Sequence, residues 1–388
     1  MKQELQYVLW LPSWYPSKLK PYNGDFIQRQ AFATSAYQLI ELIHVIRDEG
    51  GHVTKTVKKE VKVSNNLREV TVYYYQRRMF FTMAERFLSH LKYIRIYKSE
   101  ITELIKKKGL PSMVHVHIAL KAGMLGLWIK RKYKINYILS EHWTVYLAEA
   151  KPGLRSLRMF RNTFQKIFKN ASKLVVVSAY LGERLKNLFE IPSYILIPNV
   201  VDTKVFQFKE KVKNPLPVFI YISGLNYQKN PKDILDAFRL LKEKGYEFLL
   251  RIVGPKTDWI VEHASRLGLK SNIHFLDEMP QNELAVYLQQ SDALVLYSNY
   301  ETFGCVLIEA FACRVPLIVS DIPVMHENVQ LEVNGIIVKS ENPAALASSF
   351  IQFIEEPWKF NQQEIAKSVE ERYGYKKIGN DISKLYNG

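Results

Sequence analysis

Two carboxylates near the end of the chain have the chemistry and the spacing to bind a ligand. Glu301 and Glu309 lie eight residues apart in the stretch SNYETFGCVLIEAFACRVPLIVS, residues 298–320. An apolar strand precedes them and a helix is predicted to begin near Gly304, which puts Glu301 in the loop and Glu309 more than one turn into the helix. A helix N-terminus favours anions through its free N–H groups and its dipole, and carboxylates beside it can accept hydrogen bonds from the hydroxyls of a ribose or a sugar ring. By themselves the two residues favour a simpler interpretation, because a Glu after a strand is more often a helix cap.

Alternating strands and helices surround this pair. From Val218 onwards, short apolar runs alternate with helical stretches, and the first helix is predicted to start at Pro231 and to stop at Gly245. Continuous apolar strands that alternate with helices indicate a parallel sheet covered by helices on both faces. Ligands bind such sheets at the carboxyl ends of the strands, which is where Glu301 lies. The strands of this half are predicted at VFIYIS, EFLLRIVG, NIHFLD, ALVLYS and VPLIVS.

The first half of the chain repeats this pattern less regularly. The charged, Pro-containing segment 208–217 is the best linker. Because 388 residues are too many for one ordinary core, we predict two Rossmann-like, doubly wound α/β domains, residues 1–205 and 206–365, with a C-terminal helix over 366–388 that packs back on the first domain. Strands are predicted at YVLWLP, ELIHVI, REVTVYYY, SMVHVHI, NYILSEH, KLVVVS and YILIP, and helices near Asp25, Ala84, Ala122, Gly153 and Tyr180.

The composition is that of a globular protein, and its charge is unevenly distributed. Hydrophobic residues make up 47% of the chain and charged residues 24%. No segment has the roughly 18–20 uninterrupted apolar residues of a membrane-spanning helix, and the first apolar run is too short for a signal peptide, so we expect a cytoplasmic protein. The formal charge of +16 divides into +19 over residues 1–205 and −3 over the remainder. Nucleic acid, an anionic membrane or a phosphorylated substrate would each account for so basic a first half.

The order of motifs in the second half resembles a known family. ISGLNYQKNP, RIVG, ETFGCVLIEA, VPLIVSD and NGIIV follow one another as in the C-terminal domain of the bacterial family-4 retaining glycosyltransferases, also called glycosyl transferases group 1. Upstream, IPNVVD looks like the interdomain segment of that family, and the opening LPSWYPSKLKPYNGDFIQRQAFA is similar to its first strand, glycine loop and helix. The resemblance covers nearly the whole chain. It implies the GT-B architecture, in which two Rossmann-like domains face each other across a cleft and bind the acceptor and the donor nucleotide respectively.

The resemblance also implies roles for residues of the second domain. Glu309 matches the residue that holds the nucleotide ribose, and Glu301 matches the one that contacts the transferred sugar. Lys229 matches the basic residue that neutralises the donor phosphates as the nucleoside diphosphate leaves, where a fixed cation stabilises the developing charge. Further donor contacts are implied at Phe303, Gly304, Cys305 and Gly254.

In the first domain the resemblance singles out residues at strand and loop ends. His142, in SEHWT, matches a histidine that faces the sugar across the cleft, although a lone His is more often structural. Gly24 resembles the glycine that lets the first loop approach the diphosphate without a Cβ in the way. Asp25 suits a helix N-cap as well as an acceptor contact. His115 and His117 alternate along one strand, and His117 is a candidate on the acceptor side.

One position departs from the family pattern. Members carry an Arg ahead of the Lys that faces the leaving group, and in this chain Gly224 stands in its place. Half of the usual cationic pair is therefore missing. Weaker catalysis, a less anionic donor, or another basic side chain that enters from the first domain would each be consistent with this departure.

The implied reaction needs neither a metal nor a cofactor. No Asp-x-Asp pair stands at a strand end, the histidines lack zinc spacing, and Cys305 and Cys313 are spaced neither for a metal nor for a disulfide. The resemblance implies that a nucleoside-diphosphate sugar passes its sugar to an acceptor hydroxyl with retention of configuration, by a front-face route through an oxocarbenium-like state. A sugar-nucleotide epimerase and a non-catalytic sugar-nucleotide-binding protein are the alternatives.

Two basic segments suggest where the protein binds its acceptor. In residues 80–98 and 154–173, apolar residues recur at helical spacing and Lys or Arg side chains lie among them. Each apolar stripe either faces the core or forms an interfacial surface drawn to anionic lipid. No recognised nucleic-acid-binding motif accompanies the charge, so no nucleic acid partner is expected. We predict a peripheral protein on the inner face of the cytoplasmic membrane that acts on a glycan or lipid-linked acceptor, in the synthesis of cell-surface polysaccharide such as lipopolysaccharide.

Overall fold

A computed structural model describes most of the chain and shows two α/β domains, each built on one sheet. The strands of the two sheets lie on either side of the predicted linker. The predicted fold class is therefore confirmed. The described residues are 6–77, 82–150, 154–210, 214–331, 333–356, 365–366 and 368–387.

The first sheet has eight strands, all parallel except for one edge hairpin. Its strands are β1 (Val8–Pro12), β2 (Ile40–Asp48), β3 (Val57–Ser64), β4 (Leu67–Tyr75), β5 (Met113–His117), β6 (Tyr137–Glu141), β7 (Lys173–Val176) and β8 (Ile195–Leu196). Across the sheet they follow the order β3-β4-β2-β1-β5-β6-β7-β8. The accompanying helices are α1 (Asp25–Ser35), α2 (Thr82–Lys108), α3 (Ala122–Tyr133), α4 (Leu154–Asn170) and α5 (Ala179–Phe189).

The second sheet has six strands, and all are parallel. Its strands are β9 (Val218–Ile222), β10 (Leu249–Val253), β11 (Ile273–Leu276), β12 (Ala293–Leu296), β13 (Leu317–Ser320) and β14 (Gly335–Val338). Their order is β11-β10-β9-β12-β13-β14. The helices are α6 (Pro231–Glu243), α7 (Asp258–Arg266), α8 (Gln281–Gln289), α9 (Cys305–Ala312) and α10 (Pro343–Glu355).

Local sequence explains where these elements begin and end. β12 and β13 are buried at every position, which is why they are apolar throughout rather than alternating. α6 begins with Pro231, and the Asn230 side chain accepts from the N–H of Asp233. Gly245 follows the helix with a φ of 86°, a left-handed conformation in which glycine carries no steric penalty.

The sequence patterns do not predict strand β3. It is a Lys-rich edge strand whose side chains are mostly exposed, so it shows no alternation of apolar and polar residues. Asn65, with a φ of 49°, and Asn66 connect it to β4 in a two-residue hairpin turn. Pairing with β4 alone therefore makes this segment a strand.

The chain ends by returning from the second domain to the first. Two short helices, α11 (Val369–Tyr373) and α12 (Tyr375–Lys384), follow α10, and α12 packs on α1. The helices approach so closely that a Cβ at Gly379 would lie 2.1 Å from the carbonyl oxygen of Ala33. Beyond the helix, the carbonyl of Leu385 accepts from Lys173 Nζ at 2.8 Å. The C-terminal segment thus ties the two domains together, while the exact domain limits stay a prediction.

Candidate active site

A cavity of about 450 Å³ lies between the carboxyl ends of the two sheets. The loops after β1 and β6 and the start of α1 form its wall in the first domain. The loops after β9, β10 and β12 and the first turns of α9 form the opposite wall. Open α/β sheets bind ligands in this position, and the volume suits a small-molecule site. The predicted residues that line the cavity are Asp25, His142, Lys229, Gly254, Glu301, Phe303, Gly304, Cys305 and Glu309.

Lys229 and Glu301 form an ion pair at the carboxyl ends of β9 and β12. The ammonium of Lys229 donates to Oε1 of Glu301, which also accepts from Ser298 Oγ at 2.9 Å. Lys229 ends a short 3-10 helix whose last carbonyl accepts from the Tyr221 hydroxyl at 2.8 Å. Because Glu301 is buried and its partners are held by the sheet, the pair places a fixed cation at the cavity.

The N-terminal end of α9 and the two residues before it present unpaired N–H groups to the same cavity. Among the described residues, the backbone N–H groups of Phe303, Gly304 and Cys305 have no acceptor. Gly304 caps the helix with a φ of 83°, and a Cβ there would lie 3.1 Å from Leu296. These N–H groups, together with the helix dipole, can bind phosphate oxygens or sugar hydroxyls.

Glu309 lies one turn further along α9 and meets a cation from the other domain. Arg29, on α1, donates through Nη1 to Oε1 of Glu309 at 2.7 Å and through Nη2 to Asp25 at 3.2 Å. Asp25 also accepts from Gln281 Nε2, on α8, at 3.0 Å. Both members of the Arg29–Glu309 pair are buried. In the part of the chain that the structure describes, Oε2 of Glu309 accepts no hydrogen bond, so one oxygen is available to a ligand hydroxyl.

Burial and charge act in opposite directions on this pair. Burial raises the pKa of Glu309, Arg29 lowers it and Asp25 raises it again, with a net shift upward. Burial lowers the pKa of Arg29, but the carboxylates of Asp25 and Glu309 outweigh burial and raise it. Arg29 therefore stays charged and favours the ionised form of Glu309, which is the form that accepts hydrogen bonds from hydroxyls.

Two other predicted glycines are required by backbone contacts. Gly254 has a φ of 156°, and a Cβ there would lie 2.0 Å from the carbonyl oxygen of Ser223. Gly24 has a φ of 75°, and its Cβ would lie 2.6 Å from the carbonyl of Trp14. Packing against Trp14 therefore explains this glycine, and its contact with a donor stays a prediction. Gly24 is also the N-cap of α1, so the alternative that Asp25 caps the helix is wrong.

His142 faces the cavity from the end of β6. Its carbonyl accepts from Thr302 Oγ1 of the second domain at 3.0 Å, and its ring lies 4.8 Å from the ring of Phe26. Among the described residues, neither ring nitrogen has a hydrogen-bond partner. Burial lowers the pKa of His142 to about 3, so the ring is neutral and can donate one hydrogen bond and accept another. Contact with the sugar stays a prediction.

His117 lies behind His142 and does not line the cavity. Its ring lies 6.0 Å from that of His142 and 4.3 Å from that of Trp10. His115, two residues earlier, is bound to Ser140 Oγ at 2.7 Å. The geometry gives His117 a place in the packing beneath the site and does not support the acceptor contact predicted for it.

The described residues also show the state of possible metal ligands, thiols and long apolar helices. No group of three or more His, Cys, Asp or Glu side chains there could hold a metal ion. Both cysteines carry free thiols. No described helix combines the length and the apolar character that crossing a membrane requires.

Comparisons with known proteins identify the family. A family model described as "Glycosyltransferase Family 4" matches residues 57–205, and one described as "Glycosyl transferases group 1" matches residues 202–372. The two matches overlap and together run from 57 to 372. This chain belongs to the family-4 glycosyltransferases.

Similar proteins include a sequence relative and two solved structures. TuaC of Bacillus subtilis, a glycosyltransferase named for teichuronic acid biosynthesis, is 26% identical over 371 residues, which are 91% of this chain and 90% of the relative. Sucrose-phosphate synthase of Thermosynechococcus elongatus has a TM-score of 0.79 at 17% identity, with 98% of each chain covered. HepE of Anabaena, in complex with UDP and glucose, has a TM-score of 0.70 at 15% identity, with 99% of this chain and 100% of HepE covered. These likenesses confirm the GT-B architecture of the glycosyltransferase.

Arg29 is a charged cleft residue of this glycosyltransferase that sequence patterns do not single out. Its one local signal is the spacing of four residues from Asp25, which is common on any helix surface. On the other side of the cavity, there is room for a side chain at Gly224. A Cβ built there would have one neighbouring atom within 4 Å, Asn226 Nδ2 at 3.8 Å. Among the described residues, Arg29 and Lys229 are the cations that line the cavity. Arg29 is thus a basic side chain that enters from the first domain, which is one of the three alternatives left open by the missing Arg.

Replacing Arg29 with Met is expected to destabilise the glycosyltransferase by about 3–5 kcal/mol, because it leaves the buried Glu309 without a cation. The measurement is the midpoint of urea denaturation. Arg239→Met is the matched control, since Arg239 pairs with Glu243 on the exposed face of α6 and should contribute less than about 1 kcal/mol. Equal midpoints for the two variants would show that the buried pair adds nothing to stability.

Proposed function

We propose that this glycosyltransferase transfers a sugar from a nucleoside-diphosphate donor to an acceptor hydroxyl, with retention of configuration and without a metal ion. One observation carries the proposal: the Lys229–Glu301 pair, the unpaired N–H groups of α9 and the open oxygen of Glu309 line a single cavity. A nucleoside-diphosphate sugar presents an anionic diphosphate, sugar hydroxyls and ribose hydroxyls. Each of these has a partner of suitable charge in that cavity.

The proposed chemistry assigns one task to each group. Ribose hydroxyls donate to Glu309, and the diphosphate lies against the N-terminus of α9. The bond between C1 of the sugar and the leaving phosphate oxygen breaks, and Lys229 stabilises the negative charge that grows on that oxygen. The acceptor oxygen bonds to C1 on the same face, and its proton passes to a phosphate oxygen. Glu301 orients both Lys229 and a sugar hydroxyl, while neutral His142 offers a hydrogen bond from the opposite wall.

The donor is tested first with UDP-sugars, because HepE, which shares the fold, is solved in complex with UDP and glucose. A thermal-shift screen across UDP-, GDP-, ADP- and dTDP-sugars identifies the donor by the rise in melting temperature on binding. Proton NMR of the product then gives the anomeric configuration. An inverted product, or activity that disappears on chelation and returns with a divalent cation, would overturn the proposal.

Two alternatives are distinguished by incubation with donor alone and then with acceptor. An epimerised sugar nucleotide formed without any acceptor would indicate an epimerase. Binding of the donor with no product from any acceptor would indicate a non-catalytic binding protein. We expect transfer only when an acceptor is present, and the name of the relative TuaC supports acceptors from cell-surface polysaccharide synthesis.

Replacing Glu309 with Gln is expected to weaken nucleotide binding by about 1–3 kcal/mol, because the ribose hydroxyls lose a charged acceptor. Calorimetry with the nucleoside diphosphate measures the affinity. Glu283→Gln, on the exposed surface of α8 outside the cavity, is the control and should bind as the unaltered protein does. Unchanged affinity in Glu309→Gln would remove Glu309 from the donor site.

We further propose that the first domain docks on the inner face of the cytoplasmic membrane. Its formal charge is +19, and α2 exposes a group of apolar side chains. In α4, by contrast, Phe164 and Ile167 are buried and belong to the core, while Phe160 of the same apolar stripe is exposed. The side chains of Arg155 and Arg158, on the same helix, lie outside the described residues. The exposed apolar side chains of α2 are Met83, Phe87, Leu88 and Leu91.

Binding to phosphatidylglycerol vesicles is expected to fall steeply as salt is added, since each Lys or Arg near an anionic surface contributes on the order of 1 kcal/mol over a Debye length of about 8 Å. Co-sedimentation across a salt series measures it, with neutral phosphatidylcholine vesicles as reference. A double change to Glu at Lys166 and Lys169 should weaken binding, whereas the same change at the exposed Lys244 and Lys270 of the second domain should not. Equal binding to neutral and anionic vesicles would contradict the electrostatic attachment.

A further inference from the structure

A second cavity, of about 710 Å³, opens at the carboxyl end of the first sheet. The ends of β2 and β4, the loop after β1 and the residue Lys121 after β5 form its wall, and the first turns of α2 complete it. No residue of the donor cavity is shared with it. Its ionisable side chains are Lys20, Arg47, Asp48, Glu49, His52, Tyr74, Arg86, His90, Tyr93 and Lys121.

More cationic side chains than carboxylates line this cavity. Arg47 is paired with Glu85. The carboxylate of Asp48 accepts hydrogen bonds from the three backbone N–H groups of residues 52–54, at 2.7–3.0 Å. That leaves Glu49 as the carboxylate of the wall that faces the remaining cations. Within the described ranges, the three cations without an ion-pair partner are Lys20, Arg86 and Lys121.

Lys121 is held in the cavity by an unusual backbone conformation. Its φ of 67° and ψ of −68° are rarely adopted by a residue with a side chain, and such strain persists only where the surrounding structure enforces it. The ammonium lies 5.6 Å from the centre of the Tyr93 ring. Partial burial lowers the pKa of Lys121, the charges of Lys20 and Arg47 lower it further, and the carboxylate of Glu49 offsets part of this shift. An anion placed among these groups would relieve their mutual repulsion.

A single loop separates the two cavities. Lys20 lines the second cavity, and Tyr22, two positions later, lines the donor cavity. The backbone between these two residues spans at most about 7 Å, so both cavities adjoin the same short loop. An acceptor anchored by its anionic group beside Lys20 has to extend a sugar hydroxyl past this loop to reach the donor.

The other side of the cavity borders the exposed apolar surface of α2. Arg86 and His90 line the cavity one turn apart. Met83, Phe87 and Leu91 form the neighbouring strip of the same helix, because successive residues are about 100° apart around its axis. Their exposed fractions are 79%, 62% and 49%. An anionic group bound in the cavity would thus continue directly into an apolar chain on the helix surface.

We propose that this second cavity is the acceptor subsite, and that it binds the phosphate or diphosphate group of a lipid-linked acceptor whose chain lies along Met83, Phe87 and Leu91. The inference rests on the proposed glycosyl transfer and adds the chemical class of the acceptor to it. Three unpaired cations around one cavity match a group with several anionic oxygens, and the +19 charge of the first domain draws such a lipid from an anionic membrane.

Calorimetry with inorganic pyrophosphate on the full chain tests the anionic subsite. Pyrophosphate can also enter the donor cavity, so the titration is made in the Lys229→Ala background. We expect binding to persist there, and Lys20→Gln and Lys121→Gln each to weaken it about tenfold, while Arg95→Gln, on the exposed surface of α2 outside the cavity, changes nothing. Loss of all binding on Lys229→Ala alone, or equal binding by all these variants, would overturn the subsite. Lys20→Gln serves if the strained Lys121 position does not tolerate replacement.

Vesicles distinguish a lipid-linked phosphate from a free one. Phosphatidylcholine vesicles with and without a polyprenyl phosphate are compared at a salt concentration that abolishes binding to phosphatidylglycerol. We expect binding only when the polyprenyl phosphate is present, and we expect Phe87→Ser to weaken it while pyrophosphate binding stays unchanged. Pyrophosphate binding without any preference for these vesicles would overturn the lipid-linked acceptor in favour of a soluble one.

The donor nucleotide separates failure of this inference from failure of the proposed function. If the nucleoside diphosphate from the donor screen binds and the cavity variants behave alike, only the acceptor subsite is wrong. If no nucleoside diphosphate binds to the unaltered protein, the proposed function is wrong and the inference falls with it.

Discussion

Replacing Lys229 with Ala is expected to lower the turnover number at least about 100-fold and to change the Michaelis constant for the donor much less. The Lys229 ammonium is held against buried Glu301 before any donor binds, so it is already oriented when the bond to the leaving phosphate breaks. Negative charge on the leaving oxygen grows towards the transition state, and removing one preorganised group that stabilises such charge commonly reduces turnover by about 100- to 1000-fold. Steady-state kinetics with the donor identified in the screen measures both constants.

A nearby lysine provides the control for this experiment. Lys232, three residues later on α6, is exposed and pairs with Asp236 outside the cavity, so Lys232→Ala should leave both constants unchanged. If Lys229→Ala raises only the Michaelis constant, Lys229 binds the donor in its ground state and has no part in the departure of the leaving group.

Acidification from pH 7 to pH 5 is expected to destabilise the first domain strongly. Burial lowers the pKa of His44 to about 4 and those of His115 and His142 to about 3, and it lowers the pKa of His117 well below 6.5. In the unfolded chain these rings take up protons near pH 6.5, so the unfolded state binds more protons and stability falls as the pH falls from 6.5 towards 4. Four such groups give a slope of up to about 5 kcal/mol per pH unit, comparable with the whole stability of a domain.

Urea denaturation followed by tryptophan fluorescence between pH 7 and pH 5 measures this loss, because Trp10 lies 4.3 Å from the ring of His117. His117→Phe keeps an aromatic ring beside Trp10 and cannot take up a proton, so it should reduce the slope by about 1.4 kcal/mol per pH unit. His326→Gln is the control, because His326 is exposed and pairs with Asp321 on the surface. A denaturation midpoint that does not move between pH 7 and pH 5 would refute the prediction.

Much of the fold was predictable from local patterns. Parallel strands buried on both faces are apolar throughout, and the runs before Glu301 and after Glu309 are such strands. Pro231 and Gly245 mark the ends of α6 for reasons of backbone conformation that need no tertiary contact. β3 was not predicted because its side chains mostly face solvent. The sequence of an exposed edge strand does not show that the strand pairs with a neighbour.

The sequence by itself determined that this is a two-domain α/β protein of the family-4 glycosyltransferases, since apolar periodicity, helix caps and the order of motifs are local properties of the chain. Only the tertiary structure decided which side chains meet. Arg29 and Glu309 are separated by 280 residues and lie on different domains, and nothing near Arg29 in the sequence marks it as the partner of a buried carboxylate. Likewise, strand order and helix packing placed His117 behind His142 and gathered Lys20, Arg86 and Lys121 around one cavity. Contacts of this kind depend on how the sheets and domains pack, which local periodicity does not encode.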